Sequence, residues 1–295
     1  MVLAGAWVHE PNKFYLELSF GYYEADHVFN RDGKKQRNLL PPDPQNPLAI
    51  IFTPPFPSTY KQLEGVMYLE YGLPFDSEFV STFSLYKVST QDSSVGDFET
   101  NGVGDGVVGI KHKWFDRPWL VFSTEVDVGL PIGDDKAQGN VSGQNPQPIP
   151  VGDGEWDYAI RFLASRSFYP VPAYMSAEFG YRFRTSSGGV DFDNDLPWSL
   201  DGGYTFHLRE GWLSSITPFL AFRGIVSTQN LSVGAVFGRP PASGTVPNQE
   251  YGDVQPGVMV NIYKGLSLVN SFSYTLFGEN TGAGWSVRSG LSWAN

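Results

Sequence analysis

Charged residues spaced two apart are the main candidates for chemistry in this chain. Lys111 and Lys113 form one such pair, and Glu125 and Asp127 form another a short distance along the sequence. Residues two apart lie on the same face of an extended strand, so each pair presents like charges to one side. Opposite charges on neighbouring strands can form ion pairs that hold a wall together, or they can form a charged constriction that selects a solute.

Two later segments carry mixed charges in a similar arrangement. Asp157 and Arg161 occupy one segment, and Glu178 and Arg182 occupy the next. We predict that these groups meet across two adjacent strands. Both a structural role and a solute-selecting role fit this pattern as well.

The same alternation of side chains along each strand predicts a larger set of charged residues that face a common interior and line a channel. An Arg or Lys placed against hydrocarbon at the bilayer midplane would instead cost about 2–4 kcal/mol. Glu155 lies on the same inward side of its predicted strand as Asp157. The predicted channel-lining residues are Glu17, Glu64, Glu70, Asp105, Lys111, Lys113, Glu125, Asp127, Asp157, Arg161, Glu178, Arg182, Arg184, Asp201, Arg223 and Arg288.

An acidic run offers a weak candidate for a calcium loop. Asp191, Asp193 and Asp195 have the alternate spacing that calcium ligands use. The run lacks the glycine and the distant glutamate of an EF-hand, so a solvated acidic loop explains it better. The chain has no cysteine, which excludes disulfides and thiolate metal sites. We predict no cofactor and no metal.

Histidine placement bears on whether the chain is an enzyme. A lipase built on a membrane barrel needs a Ser–His pair on the outer face. Of the four histidines, only His112 lies in a predicted strand with outward parity, and no GxSxG motif accompanies it. We therefore predict that the protein is not an enzyme.

The elements that must position these residues are strands. In KFYLELSFGYYEAD, Phe14, Leu16, Leu18, Phe20 and Tyr22 alternate with a more polar set, and a period of two is typical of a strand. No convincing amphipathic helix appears. We predict twelve strands, at 14–26, 60–72, 78–88, 104–115, 119–131, 154–165, 174–184, 198–206, 216–225, 253–263, 266–277 and 285–293.

The lengths of strands and connections predict a membrane barrel. The segments run about 10 to 13 residues, close to the 9–11 that cross a bilayer and longer than strands of a soluble sandwich. Short and long connections alternate, the longest early one being 26–60. We predict an all-β transmembrane antiparallel up-and-down β-barrel of about twelve strands, with short periplasmic turns and long extracellular loops. Residues 1–295 form one domain.

Three prolines fit this barrel badly. Pro197, Pro218 and Pro256 fall within or beside predicted strands, and a closed barrel has no free edge where a missing N–H is harmless. We expect them near rims or bulges. The 26–60 connection is also rich in proline, and it is a candidate either to fold into the lumen or to dock a partner.

Composition narrows the class of protein further. The formal charge of −11 argues against a nucleic-acid partner. Charged residues make up only 17% of the chain and aromatics 15%, and no apolar run approaches the length of a spanning helix. No full signal peptide is present, although Val2-Leu3-Ala4 resembles the end of one. We expect an exported protein of the bacterial outer membrane that has lost its leader.

Several motifs resemble one family of outer-membrane proteins. They are GAW at 5–7, MYLEYGL at 67–73, GVGDGVVGIKHKWF at 102–115, GDGEWDYAIRFLASRSF at 152–168 and EFGYRFR at 178–184. Their order and spacing are similar to those of the MetA-pathway phenol-degradation family. Gly104, Asp105 and Lys111 carry its best marker. The resemblance implies a β-barrel channel for small compounds, often aromatic ones.

These observations predict a channel for passive diffusion of small solutes, aromatic or otherwise hydrophobic. Twelve strands give a backbone diameter of roughly 24 Å, which side chains narrow to a small charged lumen. Outer-membrane lipids and a small solute are then the expected partners. A structural barrel that anchors a partner subunit, or is plugged by one, is the alternative. An outer-membrane enzyme is less favoured.

Overall fold

The computed structural model describes residues 5–30, 32–40, 56–93, 96–133, 140–141, 151–152, 154–185, 194–208, 212–228, 249–263 and 265–295. These parts of the chain form strands, turns and extended segments. Among the described residues there is no helix with the length and apolarity that a bilayer crossing needs.

Twelve long antiparallel strands form the body of the molecule, and each overlaps one of the predicted strands. The prediction of an all-β barrel of about twelve strands is confirmed. The strands are β1 (Phe14–Ala25), β2 (Phe56–Leu73), β3 (Ser77–Ser93), β4 (Gly106–Arg117), β5 (Leu120–Leu130), β6 (Asp157–Ser167), β7 (Ala173–Arg184), β8 (Asp195–Tyr204), β9 (Ser215–Ser227), β10 (Glu250–Tyr263), β11 (Leu266–Glu279) and β12 (Trp285–Ala294).

The barrel closes because the last strand pairs with the first. Each strand pairs with its neighbour along the chain, and β12 pairs antiparallel with β1, with Leu16 opposite Trp293. Closure leaves no edge with unpaired backbone groups, which is what a sheet needs in a medium that offers no hydrogen bonds.

Burial alternates along the strands and shows which face is which. In β6, Phe162 is 45% exposed whereas the next residue, Leu163, is 2% exposed. Exposed Ile160 and buried Ala159 repeat the pattern. Because large apolar side chains cover the outer surface and the inner surface carries the polar ones, the outer surface fits a bilayer rather than water.

Two of the strands extend beyond their predicted ends. β2 begins at Phe56 and β3 continues to Ser93, where their hairpin meets the short strand Gly96–Gly102. A β-bulge interrupts their pairing: Gly65 lies opposite Tyr86 and Val66 lies opposite Ser84, so Leu85 is an extra residue without a partner in the ladder. This bulge explains why the sequence of the third strand alternates poorly.

The long first connection is partly described. Its short strands His27–Phe29 and Lys35–Arg37 form a three-stranded sheet with Thr281–Gly282. Residues 41–55 lie outside the described residues, so the prediction that this connection folds into the lumen or docks a partner stays a prediction.

The expectation for the prolines is wrong at one position. Pro256 lies in the middle of β10, opposite Leu220 of β9, and not at a rim. The register shifts in β10 lie after Gly252 and after Asn261, both away from the proline. The ladder between β10 and β11 lapses around Pro256 and resumes at Gly257, because proline has no N–H to donate.

The outward face of β6 gives a direct stability test. Phe162→Arg should lower the free energy of unfolding by about 2–4 kcal/mol, because it places a guanidinium against hydrocarbon near the bilayer midplane. Val171→Arg, in the exposed turn after β6, should cost at most about 1 kcal/mol. Urea unfolding in liposomes measures both. Equal costs for the two variants would contradict the assigned orientation.

Candidate functional site

The inward positions of the barrel are charged, with an excess of carboxylates. Lys111 is the one cation among the described residues that is as deeply buried as these acids. A wet lumen with this balance carries a negative potential. The buried carboxylates are those of Glu17, Glu70, Glu78, Glu125, Asp127, Glu155, Asp195 and Asp201.

A series of arginines compensates the acids on one wall, from β5 to β8. Arg161 Nε lies 2.7 Å from Asp127, and its Nη1 lies 3.1 Å from Glu178. Arg182 lies 2.5 Å from Asp195 and 3.5 Å from Asp157. The predicted meeting of Asp157 and Arg161 with Glu178 and Arg182 is therefore confirmed.

Lys111 lies beside Glu125 of β5, as predicted, but it forms its ion pairs with acids on its other side. Lys111 Nζ lies 2.7 Å from Glu78 and 3.2 Å from Glu70, although Glu125 is its register partner on the other side. Glu78 is also directly opposite Lys111 in the ladder, so two acids on β2 and β3 compete successfully for the ammonium. Asp127 is taken by Arg161.

Two predicted channel-lining residues lie at the rims. Lys113 forms ion pairs of 3.4 Å with Asp76 and with Asp116, both at the periplasmic end of the barrel. Asp105 accepts a hydrogen bond of 2.9 Å from the backbone N–H of Gly133, beside the extracellular connections. Both contacts fasten chain segments at the ends of the barrel.

The other predicted residues keep their inward parity along the lumen. Glu17 accepts a 2.7 Å hydrogen bond from the hydroxyl of Tyr15. Arg288 lies 3.9 Å from Glu64, a loose contact. Arg184 pairs with Glu155 at the extracellular rim. Their part in conduction remains a prediction.

An unpredicted feature is the position of the N-terminal segment, residues 5–12. Ala6 is fully buried against Val121 and Leu163, two inward side chains of β5 and β6. The Ala6 N–H donates a 2.7 Å hydrogen bond to Ser165, and its carbonyl accepts one of 2.5 Å from Ser123. The N-terminal segment therefore lies inside the periplasmic half of the lumen.

Charged groups of the neighbouring strands β3 and β4 also hold the N-terminal segment. The backbone N–H of His9 donates to Glu78 at 2.7 Å, and the His9 ring Nδ1 lies 2.6 Å from the same carboxylate. Lys111 Nζ donates to the Gly5 carbonyl at 3.2 Å. A Cβ on Gly72 would collide with the Glu10 carbonyl, so this close approach requires glycine.

The cluster of His9, Glu70 and Glu78 has the residue types of a metal site but already contains a positive charge. Oxygen and nitrogen atoms of His9, Glu70 and Glu78 lie within 4.8 Å of one another. The ammonium of Lys111 lies among them, so the positive charge that a cation would supply is already present. Of the weak calcium candidates, Asp191 and Asp193 lie outside the described residues, and Asp195 bonds Arg182.

A Ser–His contact on the outer face was not predicted. Ser77 Oγ lies 3.0 Å from His112 Nδ1, and the same hydroxyl donates to the Phe75 carbonyl at 3.1 Å. Trp114 packs edge-on against the His112 ring. Among the described residues no carboxylate bonds the histidine to orient it, so the pair lacks the third member of a catalytic triad.

The contact between His9 and Glu78 makes the N-terminal segment sensitive to pH. The hydrogen bond that the His9 ring donates to the carboxylate of Glu78 raises the pKa of His9 above its ordinary 6.5, with Glu70 adding to the rise and burial and Lys111 opposing it. A raised pKa stabilises the bound segment fully below pH 6.5, and that contribution is lost as pH rises through the folded-state pKa.

We therefore expect the N-terminal segment to loosen as the pH rises above about 6.5. A spin label at Val8→Cys should become more mobile as pH increases from about 6 to 9. Adding His9→Phe should remove the pH dependence. A mobility that rises equally with and without His9 would contradict this assignment.

Comparison with known proteins gives a fold. No family model and no curated protein matches the chain. An outer membrane channel from Pseudomonas putida F1 has a similar structure, with 12% identity, 100% of both chains covered and a TM-score of 0.67. The transport unit of the autotransporter AIDA-I from Escherichia coli is similar at 9% identity, over 99% of this chain and 92% of that one, with a TM-score of 0.52.

This chain has the fold of an outer-membrane β-barrel, which the similar solved structures share. A closed barrel with an apolar outer belt is the architecture of bacterial outer-membrane proteins. The predicted localisation in that membrane is confirmed.

Proposed function

We propose that this protein is a passive channel for small solutes across the outer membrane. The observation that supports this most is the closed barrel whose inner face carries ionic side chains from β1 to β12. Charged groups in a lumen need water around them, and connected water is the path that a small polar solute takes. The N-terminal segment narrows this path in its periplasmic half.

Two further points support the proposal. The Pseudomonas putida protein with the same fold is itself described as an outer membrane channel. The family resemblance of the sequence motifs implies small solutes, often aromatic. A barrel of twelve strands suits such solutes better than a wide general porin, which uses 16 to 18 strands.

Charge gives the proposal a measurable signature. The deeply buried carboxylates outnumber the single buried lysine, so the channel should prefer cations over anions. Arg182→Gln should strengthen that preference, because it removes a positive charge and the ion-pair partner of Asp195. Arg166→Gln, a matched change at an exposed position of β6, should leave selectivity unchanged.

Planar-bilayer recordings in a salt gradient test the proposal. We expect stepwise single-channel currents. The sign of their reversal potential in the salt gradient should show that cations permeate better than anions. Bilayers that stay silent with the full chain, and also when the N-terminal segment is removed, would contradict it. That result would favour the alternative, a structural barrel that anchors a partner.

A further inference from the structure

A cavity of about 230 Å³ opens within the extracellular half of the lumen, away from the N-terminal segment. It lies along the wall formed by β6 to β10. Three arginines border it, Arg161, Arg182 and Arg223. Tyr251 adds an aromatic ring, and Ile225 lies directly opposite it in the register of β9 and β10.

Two of the three arginines are already neutralised. Arg161 holds Asp127 and Glu178, and Arg182 holds Asp195 and Asp157. Because each of these arginines holds two carboxylates, neither of them adds net positive charge to the cavity. The positive charge that remains available is therefore that of Arg223.

Arg223 makes no hydrogen bond and no ion pair with any of the described residues. Asp253 is directly opposite it in the register of β9 and β10, yet the two charged groups do not form an ion pair. A guanidinium has five N–H donors, and in the lumen those of Arg223 face water or an entering acceptor rather than a protein carboxylate. The side chain is thus ready to bind an acceptor that enters the cavity.

We propose that this cavity binds a small monocarboxylate with an apolar or aromatic body. The carboxylate would take the fork of N–H donors on Arg223, a geometry that carboxylates match in pairs of hydrogen bonds. The rest of the molecule would lie against Tyr251, Ile225 and Pro197 of the same cavity. This inference rests on the proposed channel function, for which it names one solute class: Arg223 offers a local positive charge in a lumen whose overall charge favours small cations.

The charge of the lumen favours a monoanion over a dianion. Arg223 carries one positive charge, part of which the carboxylate of Asp253 opposite it already offsets. A phosphate or sulfate dianion would therefore add a negative charge that nothing in the cavity compensates. An alcohol with the same ring could use the apolar surface, but it would not require Arg223.

Calorimetric titration of the full-length protein in detergent with benzoate tests the inference. We expect saturable binding that weakens about ten- to a hundred-fold in Arg223→Gln, as loss of a charge-assisted bond implies. Arg223→Lys should fall between the two, and Arg166→Gln should bind like the unmodified protein. Benzyl alcohol should bind weakly and equally to all variants. Heat-modifiability on gels identifies any variant that does not fold.

The outcomes separate this inference from the proposed function. Equal benzoate affinity in Arg223→Gln and Arg166→Gln would overturn the site, and so would absence of binding, whether or not the protein conducts ions. Binding that depends on Arg223 in a protein that never conducts would uphold the site and overturn the channel.

Discussion

Deleting residues 1–10 should raise single-channel conductance at least about two-fold, because conductance follows the open cross-section of the lumen. The N-terminal segment crosses the periplasmic half, fastened to β6 through Ala6 and to β3 through His9. The deletion keeps Asn12, whose N–H bonds the Gly72 carbonyl, so β1 retains its start. Planar-bilayer recording measures the change.

A tethered variant provides the control for this deletion. Ala6→Cys combined with Ser165→Cys joins two residues that are already in hydrogen-bond contact, in a chain with no other cysteine. The oxidised form should conduct no better than the unmodified protein, and reduction should restore its ordinary conductance. A truncated protein that conducts like the full chain would show that the segment does not restrict the path.

Lys111→Met should destabilise the barrel by about 3–5 kcal/mol, because it leaves two buried carboxylates without their cation. Lys111 is fully buried between Glu70 and Glu78 and also holds the Gly5 carbonyl. Lys113→Met is the matched control. Its partners are exposed acids at the periplasmic end, and such pairs contribute at most about 1 kcal/mol. Unfolding by urea in liposomes measures both.

A triple variant separates the loss of a charge pair from the loss of packing. Lys111→Met with Glu70→Gln and Glu78→Gln removes the unpaired charges and should recover much of the stability. If Lys111→Met costs no more than Lys113→Met, the buried ion-pair cluster does not stabilise the barrel.

The barrel was predictable because the alternation of apolar and polar residues is repeated in most of its strands. One alternating segment such as Phe14–Ala25 fits a sandwich equally well. Twelve such segments, joined by alternating short and long connections, fit a closed ring with its apolar face outward far better. The alternation along the sequence also identified inward residues where two strands pair without a register shift, as with Arg161 and Glu178.

The sequence could not predict which side chains form ion pairs, or where the N-terminal segment lies, because both depend on distances in the folded barrel. Lys111 has carboxylates on both neighbouring strands, and only the packed structure shows that Glu78 and Glu70 bind it. Residues 5–12 carry no periodic pattern, so nothing in them indicates insertion into the barrel. Their contacts are made mainly by backbone groups, which meet Ser123, Ser165, Glu78 and Lys111, and such polar side chains are common on any inward face.

A spin-label scan along β11 tests most directly which face of the barrel meets lipid, and the proposed channel depends on that orientation. Labels at the outward positions Phe272, Tyr274 and Leu276 should be relaxed more by oxygen dissolved in the bilayer. Labels at the inward positions Ser271, Ser273 and Thr275 should respond more to a water-soluble nickel complex. Alternation in the opposite phase, or none, would contradict the orientation on which the channel rests.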